Sequence, residues 1–405
     1  MIKKITALFI LFFIPAQAFQ FQFQESPGKK LNLFLLDEKI ISANKTKLKN
    51  GDKFLSFSYN KLLSMAEAAL SMGPYSVTYK KRIPPSGDRH DYLSYGPYWW
   101  PDSSKPDGLP YKKYDGLVNP EIYDDTDKRS YVEMCEAVYL LSIAYYFSDE
   151  EKFAGHAALL LRVWFLDDET KMNPNFNYGQ AIPGISEGRP VGLIEARHFT
   201  QIIESIGFIQ NSKHWSKSDD EELRKWFEEY FTWLTENVLG KKEAHASNNH
   251  GTWYDVQAGT IALYLGKEDF AKELFEKAKS KRIDAQIKSD GAQPEELART
   301  RALSYSAFNL QALFSLAKIA EKVNVDLWNY QSPNGGSILK AFNFILPYAL
   351  GEKEFPYQQI TSFEEKDFYP LLLAYNSKTN SMDGEILNEQ KLKFKSSLYN
   401  LLFYK

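Results

Sequence analysis

Apolar residues recur every three to four positions along most of the chain after residue 54, which is the spacing of amphipathic α-helices. Clusters of Gly, Pro, Asn and Asp interrupt this pattern and indicate where helices end. The pattern predicts helices over approximately Phe54–Met72, Ser130–Phe147, Glu151–Trp164, Val191–Ile209, Ser218–Val238, Thr252–Leu265, Lys267–Arg282, Glu296–Val323, Gly336–Leu350 and Asn388–Leu402. Alternation of polar and apolar residues is scarce, so the sequence predicts an all-α fold and disfavours an α/β sheet enzyme.

Short loops join several neighbouring predicted helices. Thr252–Leu265 and Lys267–Arg282, for example, are separated only by Gly266. A series of such helical hairpins favours a closed or nearly closed toroid over an open bundle. No sequence repeat accompanies the hairpins, which argues against a solenoid. Because no linker divides the chain, we predict a single domain over residues 19–405.

Two long stretches break the helical pattern. Ile83–Asp127 is rich in Pro, Gly, Asp and aromatic residues, and Asn173–Pro190 is a second irregular stretch. Long ordered loops in a compact domain are usually functional. We therefore expect both loops to border a functional site.

The first 18 residues have the three parts of a secretory signal peptide. Lys3 and Lys4 provide the positive start, Ile5–Ile14 is an apolar run, and small residues at positions 16 and 18 form a cleavage site. The apolar run is too short to span a bilayer. We predict that the protein is exported, to the periplasm or the medium, and has no membrane attachment once the signal is removed.

Composition excludes some partners and leaves one question open. Lys and Arg number 49 against 52 Asp and Glu, so the net charge of −3 gives no reason to expect binding to nucleic acid. Cys135 is the only cysteine, which excludes an intramolecular disulfide and predicts a buried thiol. Aromatic residues reach 15%, an excess that suits either a thick helical core or a sugar-binding cleft. We expect a monomer.

The string around Asn248, Asn249 and His250 places two amides and an imidazole at the start of a predicted helix. Free backbone N–H groups there favour an anion, and these side chains can donate to a carboxylate. The structural alternative is a helix cap with a satisfied histidine. The neighbouring rings of Trp253 and Tyr254, which are suited to contact a sugar, favour the functional interpretation.

Arg299, Arg301 and Tyr305 form a second candidate group. On one continuous helix, Arg301 and Tyr305 would share a face, and Arg299 would flank the same cleft. A cation beside a phenol stabilises the phenolate and lowers its pKa, which would make the tyrosine a base. The alternative is a surface Arg–Glu network with Tyr305 in the core.

The loop Ile83–Asp127 supplies a third group. Its rings are too numerous to belong to a helical core alone, and they suit either the stacking of pyranose rings or the packing of the loop on the helices. We take as substrate-binding candidates the aromatic residues Tyr95, Tyr98, Trp99 and Trp100. Arg197, His198 and His90 are further candidates for the cleft, although each is also suited to packing. No histidine pair has zinc spacing and no acidic loop fits calcium, so we expect no metal or other cofactor.

These strings together resemble the alginate lyase superfamily of polysaccharide lyases. The resemblance rests, in order, on Tyr95-Gly96-Pro97-Tyr98-Trp99-Trp100-Pro101-Asp102, Asp115-Gly116-Leu117-Val118-Asn119-Pro120-Glu121, Asn248-Asn249-His250-Gly251-Thr252-Trp253-Tyr254 and Arg299-Thr300-Arg301-Ala302-Leu303-Ser304-Tyr305. It implies an incomplete (α/α) toroid with a deep cleft and metal-free β-elimination of a 4-linked uronic acid polymer. By the same resemblance, Asn249 and His250 neutralise the substrate carboxylate and Tyr305 transfers the proton. Mannuronate lyases carry a functional arginine seven residues before the tyrosine, where this chain has Ala298, which suggests a side branch acting on mannuronan or glucuronan.

The chemistry fits these residues on general grounds. Removing the C5 proton develops charge on the adjacent carboxylate, so donors such as Asn249, His250 and one arginine stabilise the transition state. In β-mannuronate and β-glucuronate the C5 proton and O4 lie on the same face, so Tyr305 can serve as both base and acid. Guluronate would need a second base on the opposite face, for which His198 or His250 is the candidate.

Two alternatives remain open from the sequence. A glycoside hydrolase on the same toroid would need two carboxylates across the cleft, such as Glu295 or Glu296 with Asp91. A protein that only binds anionic polysaccharide would use the aromatic loop for capture and release no product.

Overall fold

Capping side chains mark the start of several helices, including the one that carries His250. Ser216 accepts a hydrogen bond from the backbone of Asp219, whose carboxylate accepts from the Ser216 backbone in return, a capping box. Asn248 caps the helix that carries His250, with its side-chain oxygen 3.2 Å from the backbone nitrogen of His250. Local polar chemistry therefore fixes the ends that place the candidate residues.

A computed structural model describes residues 31–405. Its α-helices are α1 Glu38–Lys49, α2 Lys53–Ala69, α3 Lys128–Ser148, α4 Glu151–Leu161, α5 Phe199–Ile209, α6 Lys217–Glu236, α7 Val238–Ala244, α8 Asn249–Tyr264, α9 Glu268–Ala278, α10 Pro294–Leu297, α11 Ala302–Ala320, α12 Ile338–Ala349, α13 Glu365–Thr379, α14 Gly384–Lys393 and α15 Tyr399–Phe403. Its shorter helical turns are the 3₁₀ segments Val77–Tyr79, Pro120–Tyr123, Pro190–His198 and Glu321–Val323 and the π segments Arg162–Leu166 and Lys279–Asp284.

Inner and outer helices alternate along the chain. α8 is buried on nearly every side and packs against α5, α9 and α11, whereas its hairpin partner α9 buries only one face. The same pairing joins α3 to α4 and α11 to α12. This arrangement confirms the predicted all-α fold, an incomplete (α/α) toroid.

Many of the aromatic residues serve the core. Phe199 of α5 lies within 6 Å of several rings contributed by neighbouring helices and the second long loop. These rings are Tyr131, Phe165, Phe176, Trp226, Phe227 and Tyr230. The thiol of Cys135 is also buried, as predicted, and burial raises its pKa.

The predicted helix Glu296–Val323 is wrong in one respect, because the chain leaves the helical conformation between α10 and α11. Arg301 has φ −123° and ψ 55°, and the segment pairs instead with the stretch around Gln359. Ala302 donates to the carbonyl of Gln358 and Ile360 donates to that of Thr300, so backbone groups freed by the break are satisfied. The predicted helix Asn388–Leu402 is likewise divided into α14 and α15.

The two long loops are joined by short strands. β1 (Leu93–Tyr95) pairs in parallel with β4 (Tyr178–Ala181), and β2 (Trp99–Trp100) pairs antiparallel with β3 (Lys112–Lys113). A buried ion pair between Lys80 and Asp127, 3.1 Å apart, anchors the base of the first loop. The loops are therefore ordered and fixed against each other.

The predicted signal peptide lies outside the described residues. Among residues 31–405, no helix has the length and apolar character needed to cross a membrane.

Candidate active site

The first long loop and the start of α11 meet at a pair of phenols. The hydroxyl oxygens of Tyr98 and Tyr305 are 2.5 Å apart, a hydrogen bond across 207 residues of sequence. The loop backbone at Tyr98 is held by the amide of Tyr114, which donates to its carbonyl at 2.8 Å. The structure thus brings together a predicted loop residue and the predicted proton-transfer residue.

Arg299 lies against the face of the Tyr305 ring, with its guanidinium carbon 3.8 Å from the ring centroid. Two of its nitrogens donate to the carboxylate of Asp115, at 2.9 and 3.2 Å, and Thr300 also donates to that carboxylate. Gly116 permits this approach, since a Cβ there would lie 2.5 Å from the Thr300 hydroxyl and its φ is +79°. Arg299 thus lies beside Tyr305, while the shared helical face predicted for Arg301 and Tyr305 is lost with the break before α11.

The pKa of Tyr305 is raised, which is opposite to the predicted direction. Burial of the phenol is the largest cause, and the nearby Tyr98 adds to it, while the Arg299 charge acts in the lowering direction without prevailing. The arginine stacks on the ring and gives its hydrogen bonds to Asp115, so it offsets burial only in part. Tyr305 is therefore protonated in the free protein at neutral pH.

Glu296 binds the asparagine string and lies close enough to Arg299 and His250 for their charges to act on it. Its carboxylate accepts hydrogen bonds from the backbone of Asn249 at 2.7 Å and from the Asn249 amide at 2.8 Å. Burial raises the pKa of Glu296, while these bonds and the charges of Arg299 and His250 act to lower it. The Asn249 amide retains one further N–H for a ligand.

His250 is oriented by a second buried carboxylate. Its Nδ1 lies 2.7 Å from Glu243 of α7, whose side chain is 2% exposed. A carboxylate acceptor assigns the proton to Nδ1 and leaves Nε2 for the substrate. We name Tyr98, Tyr305, Arg299, Glu296, Asn249 and His250 the Tyr305 cluster.

Other predicted residues line a cavity inside the toroid. The cavity has a volume of about 920 Å³ and is bounded by Arg197, His198, Trp253 and Arg301, among others. Trp253 adjoins the Tyr305 cluster because it lies one turn after Asn249 and His250 on α8. Burial and the charge of Arg197 lower the pKa of His198 well below its usual value, so this imidazole is neutral at neutral pH.

The remaining predicted residues lie apart from these two groups or at their edge. Tyr254 is only 5% exposed and its hydroxyl donates to the carbonyl of Leu234, so the interpretation of this ring as a cleft wall is wrong. It faces the core because α8 is buried on nearly every side. His90 contacts the carbonyl of Lys171 at the base of the loops through its Nδ1. Neither residue contacts the Tyr305 cluster.

The loop rings stack on cations and backbone rather than on each other. Tyr95 lies under Arg82, Trp99 lies under Arg189, and the Trp100 indole donates to a backbone carbonyl. All three rings are partly exposed, so the loop both packs on the protein and presents aromatic surface.

Sequence reasoning missed three carboxylates that hold the cluster together. Asp115 belongs to one of the sequence strings that carry the family resemblance, but the sequence predicts no role for it. For Glu296 the sequence suggests only a role as the acid of a hydrolase. Glu243 lies seven residues before His250, a spacing that carries no signal until α7 and α8 are seen to pack together.

Asp91 and Glu296, which the hydrolase alternative would pair across the cleft, are each engaged by other side chains. Asp91 is buried and accepts hydrogen bonds from Ser86, Asn173 and Asn175 at the loop base, and Glu296 is bound by Asn249. Residues 31–405 also contain no group of three or more His, Cys, Asp or Glu side chains placed to hold a metal ion.

Comparison with known proteins gives a consistent family. A family model described as alginate lyase matches residues 76–355. The structure is similar to that of an alginate lyase from Bacteroides ovatus, with 37% identity, a TM-score of 0.86 and coverage of 92% of this chain and 99% of that one. Comparison with curated proteins gives no significant match.

Two more distant structures share the fold. Alginate lyase A1-III from Sphingomonas species A1 is 17% identical, with a TM-score of 0.58 and coverage of 90% of this chain and 94% of that one. A histidine-to-alanine variant of A1-III, complexed with a tetrasaccharide, is 16% identical, with a TM-score of 0.60 and the same coverage of 90% and 94%.

Proposed function

The chain belongs to the alginate lyase family and is a polysaccharide lyase, and from this premise we propose that it cleaves a 4-linked uronic acid polymer by β-elimination at the Tyr305 cluster. Mannuronan is the first candidate substrate and glucuronan the second. The observation that supports this proposal is the contact of Tyr305 with Tyr98 and Arg299, linked through Glu296 to Asn249 and His250.

The donors that face the substrate carboxylate are already positioned by buried partners. Asn249 is held by Glu296, and its second amide N–H is left for the ligand. Arg299 gives two nitrogens to Asp115 and keeps the third for the substrate. Because these donors need not reorganise, they stabilise the charge that develops on the carboxylate as the C5 proton leaves.

Tyr305 then transfers the proton. Once the phenol has released its own proton to solvent, its oxygen takes the C5 proton as a phenolate and the electron pair of the C5–H bond forms the C4–C5 double bond. The C4–O4 bond breaks, and the same hydroxyl protonates the departing O4, which regenerates the phenolate. Tyr98 donates a hydrogen bond to the phenolate at the start of this sequence. Because the raised pKa keeps Tyr305 a phenol in the free protein at neutral pH, we expect the rate of elimination to increase as the pH rises.

The same-face geometry of this transfer sets the substrate preference. One phenol can reach both the C5 proton and O4 in mannuronate and glucuronate, which differ only at C2. Cleavage of guluronate would use a base on the opposite face. His250, with Nε2 unbound within the described residues, is the better placed of the two histidines because His198 lines the cavity instead.

The first test is Tyr305→Phe, with the formation of unsaturated uronate followed by ultraviolet absorbance. We expect activity on polymannuronate to fall at least a thousandfold, because base and acid are both removed, while the polymer still binds. The matched control is Tyr254→Phe, a buried tyrosine of α8 outside the cluster, which should remain active. Full activity of Tyr305→Phe would contradict the assignment.

A panel of polymannuronate, polyguluronate, glucuronan and hyaluronan, assayed in the same way, identifies the substrate. The proposal also includes export to the periplasm or medium, on the strength of the signal-like first 18 residues, and a monomeric enzyme. Fractionation of cells and light scattering of the purified protein test these two points.

A further inference from the structure

The cavity inside the toroid contains two guanidinium groups that have no carboxylate partner among the residues that the structure describes. It runs along α11, from Arg301 and Ser304 at the catalytic end to Lys318 at the other. A charged side chain that is removed from water is normally paired with an opposite charge. Where the protein offers no such partner, a bound ligand can supply it.

Arg301 shows this most clearly. Within residues 31–405, no hydrogen bond or ion pair reaches its guanidinium, and its Nε is buried without a partner. The contrast with Arg299 is sharp, since two positions earlier in the chain the guanidinium is fixed by Asp115. The Arg301 side chain also passes the Asp115–Gly116 turn, since a Cβ on Gly116 would lie 3.4 Å from its Cδ, but among the described residues only Arg299 binds Asp115.

Arg197 faces the same cavity from the end of the 3₁₀ segment before α5. It donates one hydrogen bond to the carbonyl of Ile194 and lies 5.4 Å from the centroid of Phe308. No carboxylate among residues 31–405 lies within ion-pair distance. Glu195 is nearby but is already satisfied by Lys128 and by two hydroxyl groups, and Glu136 on α3 acts only at longer range.

Trp253 adds an unpaired donor at the same end of the cavity. Its side chain is 9% exposed, its indole Nε1 is buried without a partner, and its ring packs 5.2 Å from Phe308. The neighbouring His198 is neutral and adds no charge. Arg197 and Trp253 therefore both lie beside Phe308, and Arg301 lines the same cavity, which Glu136 also borders.

The far end of the cavity is different, because several of its charges pair within the protein. Lys318 and Lys378 both bind Glu321, at 2.9 and 2.7 Å. Anion recognition is thus concentrated at the catalytic end, within about one helical turn of Tyr305 along α11.

We propose that Arg197 and Arg301 form a second carboxylate-binding subsite, which holds the acidic group of a uronate other than the one that loses its C5 proton. Trp253 and Phe308 contribute the apolar and N–H contacts to that sugar. The inference rests on the proposed function, since it takes the ligand to be the same polymer. The subsite extends recognition into the toroid and makes cleavage depend on the length and charge of the chain.

The test uses oligomannuronates of two to six residues with Arg197→Gln and Arg301→Gln. For the longer substrates we expect KM to rise about ten- to a hundredfold, the loss typical of a charge-assisted hydrogen bond, with kcat nearly unchanged. The loss should disappear for the shortest substrate that is cleaved, because it does not reach the subsite. Arg129→Gln, an exposed arginine outside the cavity, is the matched control. Unchanged KM in both variants, or an equal loss at every length, would overturn the proposal.

Calorimetry separates failure of the subsite from failure of the proposed function. Oligomannuronate and a neutral mannan oligosaccharide of equal length are titrated into Tyr305→Phe, alone and combined with Arg197→Gln or Arg301→Gln. Weaker binding of the acidic ligand alone supports the subsite even if no unsaturated product ever forms. If the wild-type protein cleaves polymannuronate but neither arginine change weakens the binding of oligomannuronate, the proposed function stands and the subsite is rejected.

Discussion

The Tyr305 cluster and the Arg197–Arg301 cavity adjoin each other on α8 and α11, yet their polar groups are supported in opposite ways. In the cluster, side chains are held by protein partners, as Arg299 is by Asp115 and His250 by Glu243. In the cavity, no carboxylate among residues 31–405 lies within ion-pair distance of the two guanidiniums. The difference fits the two proposals, in which the groups that act on the reacting bond are prearranged and the groups that only hold the polymer are left to bind its carboxylates.

This contrast has a kinetic consequence. Removing a supporting partner from the cluster should lower kcat, because it misplaces a group used in the transition state. Removing an arginine from the cavity should raise KM instead. The predictions below test the cluster side of the comparison and then its border with the cavity.

The largest effect is expected for Asp115→Asn. The variant keeps the shape of the side chain but loses the charge that positions Arg299 over Tyr305, so kcat on polymannuronate should fall about a hundredfold with KM changed far less. Steady-state kinetics measures both. Asp107→Asn, an exposed change in the same loop, is the control. A rise in KM with no change in kcat would mean that Arg299 only binds the polymer, as is proposed for Arg197 and Arg301, and would contradict the difference between the two sites.

A smaller effect is expected for Glu243→Gln. The amide can still accept a hydrogen bond from His250, but the charge that fixes the imidazole is gone, so kcat should fall about tenfold. The control is Glu276→Gln on the surface of α9, which should match the wild type. If Glu243→Gln retained the full kcat, His250 would not need its buried partner.

The smallest effect on activity, with a measurable effect on stability, is expected for Glu204→Gln at the border of the cavity. Glu204 of α5 accepts hydrogen bonds from the backbone of Phe34 and Leu35. Leu35 is one of the residues that line the cavity. Burial raises its pKa to about 7. Because the folded pKa exceeds the unfolded value of about 4.3, the folded state prefers the protonated form, and stability falls as pH rises from roughly 4 to 7.

The glutamine variant is uncharged at every pH and should lack this loss. Chemical denaturation at pH 5 and pH 8 should show that the wild type loses up to about 3 kcal/mol more than Glu204→Gln over that interval. Glu268→Gln, exposed in the first turn of α9, provides the comparison for a surface carboxylate. If the free energy of unfolding had the same pH dependence in the wild type and in Glu204→Gln, the pKa of Glu204 would not be raised in the folded protein.

Three helices were not predicted from the sequence. α1 and α7 are short or strongly polar, and α13 contains Pro370, so the apolar spacing that indicates a helix is weak in each. By contrast, α8 and α9 were predicted to within a few residues, because Gly266 marks the turn between them, α8 is rich in apolar residues and α9 has apolar residues at helical spacing on one face. Local sequence patterns therefore identify those helices whose ends are marked by turn or capping residues.

The sequence by itself determined the all-α class and the helical hairpins and indicated the residues proposed to carry the chemistry, because periodicity and residue type are local properties of the chain. Tertiary structure alone decided which arginine supports Tyr305 and which faces the cavity, since that choice depends on the pairing of residues 300–302 with 358–360. It also decided the protonation of Tyr305: a nearby cation favours the phenolate, but burial against Tyr98 outweighs it. Burial and distant contacts set the behaviour of a charge, and neither can be deduced from the spacing of residues along the chain.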